Sequence, residues 1–281
     1  YTVNRLPRVI GAESGVFLDE TATASWGIAL GATSEVGASS ASSGAIARLL
    51  TAVRNAVPGK MIMLNTGAYL STADRANTIA AGATHQESIN SFEFSGMADR
   101  WRYIEGLNAA GIVVDMVSAY SSQDLATMTN SYPHGNSATN VQRAKLWELA
   151  SYYMVVPQSP NLLALQLENL WNKPYSTLWI KAQEANIGHP RAQRQQAKIG
   201  ADPQGNSYIL YTRDFDRALV VLRLQQGWTA HTYGDAPAIT FALPAGQTWL
   251  PLNADGSVGA AATSVRLRNS EAAIFLKAGT M

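Results

Sequence analysis

Five short strand-like runs between residues 15 and 168 are separated by four segments with helical spacing, and this alternation restricts the possible folds more than any other feature. The first run, Gly15-Val16-Phe17-Leu18, ends abruptly in Asp19 and Glu20. After a small-residue loop, residues 45–53 place apolar side chains at helical intervals, and Pro58-Gly59 stops that helix. Met61-Ile62-Met63-Leu64 follows and ends in Asn65. The cycle then recurs: a helix over 71–81 leads to the polar run 83–88 with His85, Gln86 and Glu87, and a helix over 97–110 leads to Ile112-Val113-Val114-Asp115-Met116-Val117. A helix over 139–155 leads to 162–168, ending in Glu168. Strands alternating with helices predict βαβ units around a parallel sheet.

Near Asn186 the pattern changes. Helical spacing gives way to short alternating segments at 207–212, 217–224, 238–243, 248–252, 264–268 and 271–277, separated by turns such as Asp202-Pro203-Gln204-Gly205 and Pro244-Ala245-Gly246. Regular short strands of this kind predict a small antiparallel β-sandwich.

Composition narrows the function. With 281 residues, 47% of them hydrophobic, the chain can bury a substantial core. Lys+Arg 21 against Asp+Glu 20, with no basic cluster, argues against nucleic acid as a partner. The absence of cysteine excludes disulfides and thiolate metal sites, and the four histidines show no ligand spacing, so no metal is expected. The glycines of 31–44 form neither GxGxxG nor a Walker loop, so no nucleotide cofactor is expected either. No apolar run approaches the roughly 18 residues of a membrane span. The charged fraction of 15%, against about 25% in average domains, leans towards a secreted, extracellular or cell-surface protein. Tyr1 as first residue, with no basic-then-apolar leader, fits a processed or truncated product.

In α/β barrels chemistry sits at the C-terminal ends of the strands, and the polar residues assigned there are Asp19, Glu20, Asn65, His85, Gln86, Glu87, Asp115, Ser118 and Glu168. Two facing carboxylates at one barrel mouth can act on a glycosidic bond as acid and base or as acid and nucleophile. Trp26, Tyr69, Tyr120 and Tyr132 lie in the intervening loops and could stack on sugar rings. Trp147, Trp171, Trp179, Trp228 and Trp249 read as core or interface residues.

Three sets of residues carry a family resemblance. Gly15-Val16-Phe17-Leu18-Asp19-Glu20 resembles the fourth-strand motif of a group of TIM-barrel glycoside hydrolase-like proteins. Ala185-Asn186-Ile187-Gly188-His189-Pro190 resembles the segment that leaves their barrel. The run from Tyr208 through Arg213-Asp214-Phe215-Asp216 to Val221, with Leu243-Pro244-Ala245-Gly246-Gln247-Thr248-Trp249 and Ala272-Ala273-Ile274-Phe275-Leu276, resembles their C-terminal β-domain. Ala218 stands where the group usually has Gly.

The resemblance implies that residues 1–188 are strands four to eight of a (β/α)8 TIM-type barrel and residues 189–281 a C-terminal β-sandwich. It implies catalysis by Asp19 as nucleophile or general base and Glu87 as general acid, with Glu20 as a substitute, on a polysaccharide or oligosaccharide. Asn65, His85, Asp115, Trp26, Tyr69 and Tyr120 would bind substrate. Five strands fall short of the eight that close a barrel, so an upstream segment or a second chain is expected to complete it. The rival expectation is a catalytically inactive structural or carbohydrate-binding subunit that keeps the fold of a larger extracellular assembly.

Overall fold

The computed structural model describes residues 15–18, 39–65, 72–90, 97–119, 137–158, 162–168, 180–225, 237–269 and 271–279. It shows a mixed α/β chain with one parallel sheet and two antiparallel sheets. The chain divides into two compact units: residues 1–90, 99–117 and 159–166 in the first, and residues 91–98, 118–158 and 167–281 in the second.

The strands of the parallel sheet are β1 (Gly15–Leu18), β2 (Met61–Asn65), β3 (His85–Asn90), β4 (Val113–Ala119) and β5 (Leu163–Glu168), arranged in chain order. The intervening helices are α1 (Ser39–Ala56), α2 (Thr72–Ala80), α3 (Met97–Ala109) and α4 (Ser137–Val155). β1 pairs with β2 and β2 with β3 in parallel register. Alternation then sorts the side chains. Val16, Leu18, Ile62 and Leu64 join Leu50 and Val53 of α1 and Val57 just after it in one apolar cluster, while Phe17 on the opposite face is 51% exposed. Gly15 is required by proximity: a Cβ there would lie 2.6 Å from the Met61 Cβ.

Polar side chains fix the connections. Arg54, in the last turn of α1, donates to the Gly82 carbonyl (2.7 and 3.0 Å) and the Lys60 carbonyl (2.8 Å), joining the turn after α2 to the entry of β2. Asn108 in α3 donates to the carbonyls of Ile112 (3.0 Å) and Leu162 (2.7 Å), and so places the start of β5 beside the turn into β4.

In the second unit β6 (Gln195–Ala201), β7 (Ser207–Asp214), β8 (Ala218–Gln225), β10 (Trp249–Leu252) and β12 (Ala272–Lys277) form a five-stranded sheet in the order β10-β12-β8-β7-β6. β9 (Ile239–Ala242) and β11 (Ser264–Leu267) form a two-stranded one. The core between them gathers Tyr208, Leu210, Leu219, Val221, Trp249 and Phe275 from the larger sheet and Ile239 and Leu267 from the smaller. Helix α4 packs against β7, β8 and β12, with Tyr153 edge-on to Phe215 at 5.6 Å between ring centroids.

Two segments that look unrelated in sequence prove to be partners here. Residues 187–191 run beside residues 214–217: the Arg217 and Asp216 amides donate to the carbonyls of Ile187 and His189 (both 3.0 Å), and the Arg191 amide to that of Asp214 (2.9 Å). Asp216 also accepts the His189 amide at 3.0 Å. Gly188, at φ 77°, is needed where the two segments touch, since a Cβ would lie 2.6 Å from the Asp216 Cβ.

Candidate active site

The candidate site is built on the face of the parallel sheet opposite α1. Register aligns Phe17 with Met63 and Met63 with His85, and one row further Asn65 stands opposite Glu87. Leu18, aligned with Leu64, is the residue before Asp19. Asp19, Glu20, Trp26, Tyr69, Tyr120 and Tyr132 lie outside the described residues. Glu87 and Glu168 are placed by backbone, within β3 and as the last residue of β5.

The structure assigns His85 and Asp115 other positions in their strands than the sequence suggests. His85 opens β3, which runs on to Asn90, so residues 85–87 begin the strand and do not follow it. The run His85-Gln86-Glu87-Ser88-Ile89-Asn90 can be a strand despite its polarity because Gln86, fully buried, donates from Nε2 to the Tyr103 hydroxyl of α3 at 2.9 Å. Asp115 is the third residue of β4, half-buried, and the strand continues to Ala119. One carboxylate does not end it because Val114 and Met116 point to the opposite, buried face. Asn65, at the end of β2, is buried.

Thr84 ties His85 to the neighbouring strand. Its hydroxyl accepts the Ile62 amide (3.0 Å), donates to the Ile62 carbonyl (3.2 Å) and lies 2.9 Å from His85 Nδ1. In the tautomer in which that hydroxyl donates to Ile62, His85 Nδ1 is the donor and Nε2 carries the lone pair. Burial pushes the imidazolium pKa down, which favours this neutral form. In that tautomer His85 can accept a hydrogen bond at Nε2. The signal in the sequence is the Thr-His pair at the mouth of a strand, legible only once the register to Ile62 is known.

Among the described residues no helix is long and apolar enough to cross a membrane. Trp147 and Trp249 are buried, and Trp171, Trp179 and Trp228 lie outside the described residues.

No family model matches the chain, and no curated protein matches it. Solved structures do. A candidate α-galactosidase/melibiase from Bacteroides fragilis is 12% identical with a TM-score of 0.33, over 82% of this chain and 65% of that one. A variant of trehalulose synthase is 11% identical with a TM-score of 0.40, over 98% and 68%. A β-arabinopyranosidase is 9% identical with a TM-score of 0.28, over 98% and 52%. The chain thus spans under two thirds of the length of the first and third of these proteins.

Proposed function

We propose that the chain is a glycoside hydrolase-like protein that cleaves glycosidic bonds of a polysaccharide with Asp19 and Glu87 as the carboxylate pair. The register of β1, β2 and β3 carries the reading. Leu18 is aligned with Leu64 and is followed in sequence by Asp19, and in the next row of the sheet Asn65 is aligned with Glu87. Glycoside hydrolysis uses two carboxyl groups roughly 5–9.5 Å apart. His85, two residues before Glu87 on the same strand, offers Nε2 to a substrate hydroxyl. Glu20, next to Asp19, has the opposite strand parity and stands as the substitute for it.

In the same reading the parallel sheet is strands four to eight of a (β/α)8 barrel within residues 1–188, and residues 189–281 form a β-sandwich domain. β1 ends the order of the sheet among the described residues, with Phe17 half exposed, and an upstream segment or second chain would close the barrel there. A secreted or cell-surface location suits a polysaccharide substrate. The inactive, carbohydrate-binding alternative differs in the same assay. Hydrolysis of a polysaccharide panel by the wild-type chain should fall about 100-fold or more in Asp19→Asn and in Glu87→Gln. Wild-type rates in both variants overturn the pair, and binding without any hydrolysis supports the inactive reading.

A further inference from the structure

The second unit contains a cavity of about 390 Å³, distinct from the row just described. Its lining combines Arg191, Asp214, Gln247 and Lys277 with the apolar surfaces of Pro244 and Trp249. Lys277 Nζ lies 2.8 Å from Asp214 Oδ1 and donates to the Phe215 carbonyl at 2.5 Å, so the lysine and the aspartate cancel in charge. Arg191 stands 3.8 Å from Asp214 Oδ2, beyond hydrogen-bond length, with its side chain 60% exposed. One positive charge is therefore left at the rim. The Trp249 indole N–H is committed to the Pro244 carbonyl at 2.8 Å and Lys277 Nζ stands 6.0 Å from the ring centroid, so the indole has no free donor to offer. The exposed Gln247 amide has both a donor and an acceptor.

An apolar floor, a rim of mixed donors and acceptors and one surplus guanidinium complement a ring with a C–H face, several hydroxyls and one carboxylate. A multiply charged phosphate is a poorer match, because Asp214 beside Arg191 repels its greater charge more than the single charge of a carboxylate. We propose that this cavity binds a uronic-acid unit of an acidic saccharide. The sugar carboxylate pairs with Arg191, its hydroxyls with Asp214 and Gln247, and its C–H face lies on Pro244 and the edge of Trp249. The volume falls in the ordinary range of small-molecule sites. The proposal does not depend on the carboxylate pair of the parallel sheet.

Calorimetric titration of the full chain with trimers of galacturonate, glucuronate and mannuronate, with neutral galactotriose and with inorganic phosphate tests it. At least one uronate trimer should bind at least tenfold more tightly than galactotriose and phosphate, and binding should weaken with added salt. Arg191→Gln should lower that affinity about tenfold or more, as expected for loss of a charged hydrogen bond. The variant keeps the Arg191 amide's bond to Asp214 and loses only a loose surface ion pair, so its fold should survive. Asp19→Asn should leave uronate affinity unchanged, which separates failure here from failure of the hydrolase reading. No binding of any uronate trimer at about 10 mM, equal affinity for galactotriose or phosphate, or unchanged affinity in Arg191→Gln overturns the proposal.

Discussion

Asp202 and Arg223 have no exposed side-chain surface and meet at 2.9 Å. Two charges withdrawn from water in this way hold only if other bonds compensate them. Arg223 also donates to the carbonyls of Pro237 (2.7 Å) and Leu267 (3.1 Å), and Asp202 accepts the amides of Gln204 (2.9 Å) and Asn206 (3.0 Å). Burial alone pushes the Asp202 carboxyl up, but hydrogen bonds from Asn206, Gln204 and Arg223 outweigh it and hold the pKa below the usual carboxylate value. A group depressed in the folded state stabilises at pH above its unfolded pKa of about 4, and that contribution fades as pH falls from there through the folded value. Asp202→Asn should cost about 3–5 kcal/mol at pH 7 by stranding Arg223. In urea melts from pH 7 to pH 2, the gap between variant and wild type should narrow as acid removes the charge from Asp202. A constant gap would show that the ion pair is not its source. Gly15→Ala, by contrast, presses a methyl group into β2 and should cost about 1–3 kcal/mol at every pH, read from the midpoint of chemical unfolding.

Elements here are held as much by side chains as by their own propensities. Arg213 donates to the Tyr153 carbonyl in the last turn of α4 (2.9 Å) and to the Ala192 carbonyl (3.0 Å), with its guanidinium 5.7 Å from the Phe215 ring centroid. A cation at a helix C-terminus satisfies both an open carbonyl and the helix dipole. Arg213→Met should therefore destabilise by about 1.5–3 kcal/mol and speed hydrogen exchange in the last turn of α4 more than in the β7–β8 ladder. Uniform acceleration would instead mark a general loss of packing. Much of this framework is legible in the sequence, because helices α2 to α4, the part of α1 from residue 45 and strands β2, β4 and β5 follow from apolar spacing, whereas residues 39–44, which read as part of a small-residue loop, begin α1. β6 is not: Gln195-Gln196-Ala197-Lys198-Ile199-Gly200-Ala201 has almost no buried residue to leave a pattern, and it is a strand because β7 is beside it. The start of β3 is hidden for a different reason, since Gln86 is made tolerable by Tyr103, a partner 17 residues away. At the candidate site the residue types are legible, whereas the alignment of Asn65 with Glu87 needs the register.

For the whole molecule, α4 matters more than its place in the chain suggests. It covers β7, β8 and β12, on the face where Ile209, Tyr211, Val220, Leu222 and Ile274 are buried. A fragment of residues 189–281 lacks that cover, and should bind more hydrophobic dye per molecule and self-associate more on sizing than the full chain. A monomeric, dye-silent fragment would show that the sheet does not need the helix. The bulge in β6 bears on association of another kind. Among the described residues β6 is the last strand of the five-stranded sheet, yet Ala197 is an extra residue between the pairs Gln196–Tyr211 and Lys198–Leu210, so its amides are out of step with a regular ladder. Another molecule laid along this border would find its hydrogen bonds misaligned halfway and a lysine in the way. Removing that one residue would straighten the border and turn a boundary that ends the sheet into a template for extending it from molecule to molecule.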